Sequence, residues 1–230
     1  MIIAVPICLL CALYLSEYAG PRLRGLMKPL LDILAAIPSV IYGVWGLLAI
    51  VPFVQHTAAP ALNQVLGFIP LFYSDNPTGY SVLAAALVLS VMVIPVIVAV
   101  TYEVLQTVPQ GLREASLAVG ATRWQTIRTI VLPNSLGGIL TGVILEICRA
   151  AGETAPILFT GAAFFLPHLP KSPLDATMAL PYHLFVISTQ VPEMPIQIQY
   201  GTALVLIIFV LGMNLVASVI RSRARAKRQW

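Results

Sequence analysis

The chain has 230 residues, of which 59% are hydrophobic and 10% charged, and its mean hydropathy is +0.91. A water-soluble domain of this size cannot bury so large an apolar fraction, so the composition predicts an integral membrane protein. The net charge of +4 comes mostly from cations that flank the apolar runs. It therefore indicates membrane topology and does not call for a nucleic-acid partner.

Five apolar segments approach or exceed the roughly 20 residues that a membrane-spanning helix needs. They are continuous apolar runs without the alternating pattern of barrel strands, which excludes a closed β-barrel. We therefore predict an all-α polytopic membrane protein with one membrane domain, residues 1–230. The predicted spans, in chain order, are about 1–18, 29–54, 81–102, 132–165 and 199–220.

The cations are distributed unevenly among the connections between these spans. They follow the first predicted span, occur again between the third and fourth spans, and end the chain in the basic tail 221–230. The remaining connections, 55–80 and 166–198, contain only Lys171 among lysines and arginines. The positive-inside rule then places the cation-rich connections and the C-terminus in the cytoplasm, with the tail close to anionic membrane lipid.

The second predicted span contains Pro38 followed by Ser39. Proline lacks the N–H that a helix needs at this position, and a neighbouring hydroxyl can hydrogen-bond the freed carbonyl, so we expect a kink or gate here. Pro156 is expected to kink the fourth span in the same way. Gly43 and Gly46 follow closely, and small residues mark helix contacts in bilayers, so plain helix packing is at least as good an interpretation.

A polar stretch from Gln110 to Val119 lies between the third and fourth spans, and its apolar residues have helical spacing. Gly120 follows and adopts φ > 0 easily, so a short helix is expected to end there. Thr122 and Gln125 have the spacing of a capping box, which predicts a second helix that begins at Arg123. The sequence thus predicts a helix, a turn and a helix.

The whole connection, 103–131, is interpreted as a cytoplasmic docking hairpin whose second helix is interrupted at Pro133. Ala115 and Ser116 are small and would let the surface of a partner approach the backbone. An ordinary amphipathic connection is the default interpretation for such a loop, but the spacing that continues to Pro133 favours a docking role. Charged contacts at the rim would come from Arg113, Glu114, Arg123 and Arg128.

Three charged residues, Glu146, Arg149 and Glu153, lie in the fourth predicted span at positions i, i+3 and i+7, which places them on one helix face. An ionised side chain at the bilayer centre costs about 2.5 to 3.5 kcal/mol, so this face is expected to line a substrate pathway or an interface. The alternative is a structural ion pair that fixes the register of the helix.

The sequence predicts neither a nucleotide site nor a metal site in this chain. It has no G-x-x-x-x-G-K-[ST] motif, and its three cysteines fall within predicted spans without nearby histidines. A membrane enzyme would need His56, His168 or His183 as ligands or bases, but these lie in or near the outer connections without metal-like spacing. We therefore expect a chain that is not an enzyme.

The segment Glu114 to Gly120, followed after nine residues by Ile130 to Pro133, resembles the EAA loop of ABC importer permeases. It departs from the family pattern only at Ser116, where the pattern has a second alanine. The resemblance implies a type I, MetI-like transmembrane domain that couples to a cytoplasmic ATPase. The coupling residues it implies are Glu114, Ala115, Ser116, Gly120, Arg123, Leu132 and Pro133.

The segment Arg149 to Pro156 is similar to the R-A-x-G-E-T-A-P sequence of the phosphate-specific transport (Pst) permeases. Leu158 to Gly161 and Ala179 to Tyr182 resemble the PstA type of subunit in particular, whereas the region around Trp45 resembles the PstC type. Permeases of this family usually have one more span upstream, so we expect that the first family span is missing from this chain.

The resemblance implies an ATP-driven importer that moves inorganic phosphate across the cytoplasmic (inner) membrane by alternating access. Its partners would be a second, PstC-like permease subunit, a homodimeric PstB-like subunit that binds ATP and Mg, and an external PstS-like phosphate-binding protein. Arg149 is expected to lower the cost of dehydrating phosphate at mid-membrane, because a guanidinium matches an oxyanion bidentately. Glu153 or Glu146 would compete with the anion and keep its binding weak.

Two other transport functions remain open. One is an ABC importer for another oxyanion, such as phosphonate, molybdate or sulfate. The other is a secondary transporter coupled to protons or ions, in which Glu146 and Glu153 would carry protons. Secondary transporters typically show internal repeats and have no need of a docking hairpin, which favours the ATP-driven class.

Overall fold

The computed structural model describes residues 1–69, 71–72, 78–161 and 169–226, and this part of the chain is built from helices and their connections. The predicted all-α class is therefore confirmed. The helices are α1 (Ala4–Tyr18), α2 (Pro21–Ala35), α3 (Ser39–Val65), α4 (Val82–Gln106), α5 (Gln110–Ala118), α6 (Arg123–Ala151), α7 (Ala155–Thr160), α8 (Leu180–Thr189) and α9 (Ile196–Ala226).

Four of the described helices are long and apolar enough to cross a membrane: α3, α4, α6 and the Ile196–Val219 part of α9. They correspond to the second to fifth predicted spans, with shifted limits. The first predicted span coincides with α1, which is apolar but shorter than these four helices. Within the described ranges, the structure therefore has four membrane-length helices where the sequence predicted five spans.

The second predicted span, 29–54, is divided into two helices. Pro38 has φ −58° and ψ 140°, which is an extended conformation, and α3 begins directly after it. Since proline also disfavours the helical conformation of the residue before it, the expected kink is a complete break between α2 and α3. The predicted limit of this span at Val54 does not coincide with the end of a helix, because α3 continues through His56 to Val65.

The fourth predicted span, 132–165, is divided as well. The long helix α6 ends at Ala151, and the short helix α7 begins at Ala155. Gly152 is a weak helix former, and Pro156 has no N–H with which to continue the ladder, so the expected kink is again a break. Residues 162–165 lie outside the described residues.

The chain divides into two compact units. Unit 1 consists of Met1–Ala36, Val93–Arg149 and Gly212–Trp230, and unit 2 consists of Ile37–Met92 and Ala150–Leu211. Unit 1 contains α1, α2, α5 and most of α6, including the predicted docking hairpin. Unit 2 contains α3, α7 and α8, together with the break that follows α6.

Glycines bring α6 close to α4 within unit 1. A methyl group added to Gly138 would lie 2.6 Å from Val104 Cγ1, and one added to Gly142 would lie 2.5 Å from Val100 Cγ1. Both distances are shorter than carbon atoms tolerate. The G-x-x-x-G spacing of these two glycines therefore marks a helix contact, as small residues do in membrane proteins generally.

The loop around Asp175 closes the N-terminal end of α4 within unit 2. The first N–H groups of a helix have no partner within it, and here Val82 and Leu83 donate to the carbonyls of Asp175 and Pro173 at 3.0 and 2.8 Å. The Asp175 carboxylate in turn accepts the N–H groups of Lys171 and Ser172, each at 2.9 Å. Backbone carbonyls and one carboxylate thus fix this loop on the helix end.

The packing of α3 in unit 2 depends on Gly43 and Gly46, which confirms their interpretation as packing residues. A methyl group on Gly46 would lie 2.5 Å from Val88 Cγ2 and 2.8 Å from Thr160 Cγ2. We expect Gly46→Ala to destabilise the protein by about 1 to 3 kcal/mol, because α4 or α7 must shift. Gly212→Ala in α9 is the matched control, since nothing lies within 4 Å of its added methyl. Thermal unfolding in detergent compares the two, and equal melting temperatures would contradict the packing.

Candidate functional site

Residues 103–106 of the predicted connection belong to α4, so the docking hairpin is formed by α5, the turn 119–122 and the start of α6. Gly120 has φ +87°, its N–H donates to the Leu117 carbonyl at 3.0 Å, and the Ala121 N–H donates to the Ser116 carbonyl at 3.2 Å. These two bonds form a Schellman motif, which satisfies carbonyls at the end of a helix. The predicted helix end at Gly120 is confirmed.

The second helix of the hairpin begins with a capping box. Thr122 Oγ1 accepts the Gln125 N–H at 3.3 Å, and Gln125 Oε1 accepts the Thr122 N–H at 2.7 Å. Each side chain satisfies a backbone donor of the other residue, which fixes the first turn. The predicted start at Arg123 is therefore confirmed.

The predicted interruption at Pro133 was wrong, because α6 continues through this residue to Ala151. A π-helical turn at Ile127–Val131 directly precedes Leu132 and Pro133. Such a turn widens the helix where the proline ring would otherwise meet the preceding turn. The hairpin and the membrane-length part of α6 are thus one continuous helix.

Ser116 was predicted to face a partner, and the structure corrects this. Its side chain is buried, and its Oγ lies 2.9 Å from Thr126 Oγ1 of α6. A small hydroxyl residue is needed there because the two helices of the hairpin meet at this point. Ser116 therefore sets the shape of the hairpin, while its neighbour Ala115 is exposed.

The exposed surface of the hairpin combines charge with apolar side chains. Glu114 and Arg123 are exposed, as predicted, and Val119 at the tip is 85% exposed. Leu132 and Pro133 are only partly exposed. Further exposed apolar residues are Leu112, Leu117 and Trp124.

Beside α5, a groove of about 650 Å³ is lined by Thr107, Val108, Pro109, Gly111, Leu112 and Asn134. Clustered exposed apolar residues of this kind are typical of a protein interface.

Arg113 was also expected at the rim, but it is only partly exposed. Only 12% of its side chain is exposed, and it forms an ion pair with Glu17 of α1 at 3.0 Å. Sequence reasoning missed Glu17 as a site residue. The available signal was a lone carboxylate near the end of an apolar helix, where a charge requires a partner.

The charged cluster of the fourth span is only partly assembled as predicted. Glu146 and Arg149 lie one turn apart on α6, with Arg149 Nη1 3.9 Å from Glu146 Oε2. Glu146 is buried, whereas 46% of the Arg149 side chain is exposed. Glu153 does not share this helix face, because it lies in the break after Ala151, where its N–H donates to the Ala150 carbonyl at 3.3 Å. The helix therefore presents an accessible guanidinium beside a buried carboxylate.

The predicted gate residues lie at the two helix breaks. Pro38 and Ser39 mark the start of α3, and Pro156 lies in the first turn of α7, where it is buried. The histidines are dispersed, since His56 is inside α3 and His183 is inside α8 with its Nδ1 3.3 Å from Met178 Sδ. His168 lies outside the described residues. In the described ranges, no three His, Cys, Asp or Glu side chains are grouped for a metal ion.

Comparison with known families decides the class of this molecule. The model of the family described as "Binding-protein-dependent transport system inner membrane component" matches residues 4–227. The chain belongs to this family. It is therefore a multi-pass inner membrane protein and a component of a transport system, not an enzyme.

Curated relatives of this family member carry the name "Phosphate transport system permease protein PstC". The protein of Pasteurella multocida is 41% identical over 177 residues, which cover 75% of this chain and 55% of the relative. The protein of Haemophilus influenzae is 40% identical over 177 residues, covering 75% of this chain and 56% of the relative. A relative from Mycobacterium tuberculosis, named PstC 2, is 37% identical over 161 residues, which cover 69% of this chain and 49% of the relative. The chain thus spans about half the length of the curated relatives that it matches.

A solved structure confirms the predicted fold of this transport-system component. The inward-facing MetNI methionine ABC transporter, in its CY5 native crystal form, matches with a TM-score of 0.60 and 20% identity. The match covers 97% of this chain and 86% of the solved one. The fold is therefore that of a MetI-like ABC importer transmembrane domain.

Proposed function

We propose that this chain is a permease subunit of an ATP-driven importer that moves inorganic phosphate across the inner membrane by alternating access. The observation that carries the proposal is the placement of Arg149, whose half-exposed guanidinium lies near the end of a membrane-length helix. The names of the curated relatives and the similarity of residues 149–156 to Pst permeases support phosphate as the substrate.

The exposure and the charge of Arg149 support a role in transit. Its side chain is 46% exposed and lies beside the buried Glu146, with Arg149 Nη1 3.9 Å from Glu146 Oε2. A phosphate oxyanion that reaches this side chain can accept two parallel N–H bonds from the guanidinium. Glu146 then competes with the bound anion and limits its residence time. A role for Glu153 in release stays a prediction.

The hairpin is proposed to dock on a cytoplasmic ATPase that binds ATP and Mg. Glu114, Ala115 and Arg123 supply an exposed charged surface, and Val119 projects at the tip. Ser116, Leu132 and Pro133 act by holding the shape of the hairpin, since they are buried or partly buried. Because α6 is continuous from the hairpin to Ala151, a displacement at the hairpin is transmitted along the helix that carries Arg149. The breaks at Pro38 and Pro156 are the proposed gates.

The remaining assignments follow from this arrangement. The basic tail and the hairpin lie on the cytoplasmic side in our proposal, and an external phosphate-binding protein delivers the substrate. The segments after Arg149 resemble PstA, but the relatives above are named PstC, so we assign the chain to the PstC-type position. Its second permease subunit is then PstA-like, and the ATPase is PstB-like.

Uptake of radiolabelled phosphate tests the proposal. The chain is expressed together with its partner subunits in cells that lack it, and phosphate uptake is expected to be restored. This uptake is expected to depend on ATP and to persist when a protonophore removes the proton gradient. An excess of unlabelled sulfate, molybdate or phosphonate is expected to leave this uptake unchanged. Uptake that follows another oxyanion, or that requires the proton gradient but not ATP, would contradict the proposed substrate or the proposed energy source.

A further inference from the structure

A part-buried ion pair connects the docking hairpin to the first helix. Arg113 Nη2 of α5 lies 3.0 Å from Glu17 Oε1 of α1, and the two side chains are only 12% and 14% exposed. The residues are separated by 96 positions in the chain, and both belong to unit 1. An ion pair removed from water is costly to form and is maintained only when its geometry is well supported.

Further hydrogen bonds support this pair from α4. Arg113 also donates to the Leu105 carbonyl at 2.8 Å and to the Val108 carbonyl, so the same guanidinium holds the C-terminal end of α4. Ser16 Oγ donates to Glu17 Oε1 at 3.0 Å and accepts from Gln106 Nε2 of α4, also at 3.0 Å. Three helices, α1, α4 and α5, therefore meet in one part-buried polar cluster.

A second arginine fixes the α1 side of the cluster. Helix α1 ends in a π-helical turn at Tyr14–Tyr18, which leaves carbonyls without helical partners. Arg24 of α2 donates to the Ser16 and Ala19 carbonyls at 2.7 and 3.1 Å and to the Leu15 carbonyl at 3.2 Å. The end of α1 is thus held by two arginines, Arg24 and Arg113.

We propose that Glu17 and Arg113 are positioning residues that lock the docking hairpin to α1, so that hairpin and helix move together when the ATPase acts. This inference rests on the proposed function, because it assumes that the hairpin docks on an ATPase. An exposed ion pair would not hold the hairpin to α1, because surface ion pairs contribute little to stability and are screened by salt. Lys28 and Glu103 form such a pair in the same unit, 3.7 Å apart with side chains 51% and 64% exposed.

The distance between hairpin and α1 tests the locking directly. Spin labels are placed on Leu10, 64% exposed on α1, and on Val119, 85% exposed at the hairpin tip. In the assembled transporter, the label-to-label distribution is expected to be narrow and equal in the nucleotide-free and vanadate-trapped states. With Glu17→Gln it is expected to broaden or to differ between the states, whereas the control Glu103→Gln leaves it unchanged. This readout does not depend on which substrate is carried, so a failed phosphate assignment would not affect it.

The efficiency of transport provides the second measurement. In proteoliposomes, phosphate transported per ATP hydrolysed is expected to fall at least about fivefold with Glu17→Gln, since a mostly shielded charge loses its partner. Arg113→Gln is expected to produce a similar loss, and the double variant is expected to be no worse than either single variant, because the two residues act as one unit. Glu17→Asp keeps the charge and is expected to retain most of the coupling. This variant is measured as well, so that the test still stands if Glu17→Gln fails to fold.

Two results would overturn the inference. One is a Glu17→Gln transporter whose distance distribution and transport ratio match those of Glu103→Gln. The other is a double variant whose losses equal the product of the single losses, which would mean that the two side chains act independently.

Discussion

Arg149→Gln is expected to abolish phosphate uptake in a transporter that still assembles with its partner subunits. The substitution removes the half-exposed guanidinium near the end of α6, and with it both the positive charge and the paired N–H donors that an oxyanion requires. Hydrogen bonds to charged groups contribute about 1.5 to 3 kcal/mol each, so the loss of two corresponds to at least about a hundredfold lower rate. Initial rates of radiolabelled phosphate uptake measure the effect.

Related variants separate charge from geometry. Arg149→Lys keeps the charge but not the planar fork, so we expect about a tenfold loss and not a complete one. Glu146→Gln removes the competing carboxylate 3.9 Å away and is expected to tighten phosphate binding while slowing turnover. Arg22→Gln is the matched control, because Arg22 is an exposed arginine of α2. Wild-type uptake by both Arg149 variants would end the proposal that this guanidinium handles the substrate.

Gly120→Ala is expected to weaken the binding of the ATPase by about tenfold. An L-residue held in the left-handed region costs roughly 1 to 2 kcal/mol, and Gly120 has φ +87° at the turn of the hairpin. If the turn relaxes, two hydrogen bonds are lost: the bond from the Gly120 N–H to the Leu117 carbonyl and the bond from the Ala121 N–H to the Ser116 carbonyl. Affinity of the detergent-solubilised permease for the purified ATPase subunit measures the effect.

Helix α2 supplies a matched control for this substitution. Gly25 lies in α2, and an added methyl group meets nothing within 4 Å at either Gly25 or Gly120. Gly25→Ala therefore adds the same atoms without backbone strain, and it is expected to leave ATPase affinity near the wild-type value. Equal losses for the two variants would show that the turn conformation does not matter for docking.

The features that could be predicted from sequence depend on neighbouring residues. The end of α5 at Gly120 and the capping box of Thr122 and Gln125 involve atoms within a few positions of one another, and both are confirmed. The packing role of Gly43 and Gly46 could be predicted because only small residues permit close helix contacts. Apolar run length likewise located the four membrane-length helices.

The features that could not be predicted depend on contacts between distant residues or on local competition. The burial of Ser116 follows from its contact with Thr126, and the low exposure of Arg113 follows from its ion pair with Glu17, 96 positions away. Pro133 was expected to interrupt the helix, but the π-helical turn that precedes it makes room for the proline ring, and the helix continues. Glu153 was predicted to lie on the same helix as Glu146 and Arg149. Gly152 and Pro156 disfavour a continuous helix, so α6 ends before Glu153.

Crosslinking from the hairpin tests the central claim most directly. A photoreactive amino acid replaces Ala115, which is exposed next to the buried Ser116, in cells that contain the whole transporter. The same group at Leu48, 73% exposed in the membrane-length helix α3, is the control. We expect irradiation to link position 115, and not position 48, to a subunit that hydrolyses ATP. Absence of that subunit from the adducts of position 115, with the transporter shown to be intact, would contradict the account.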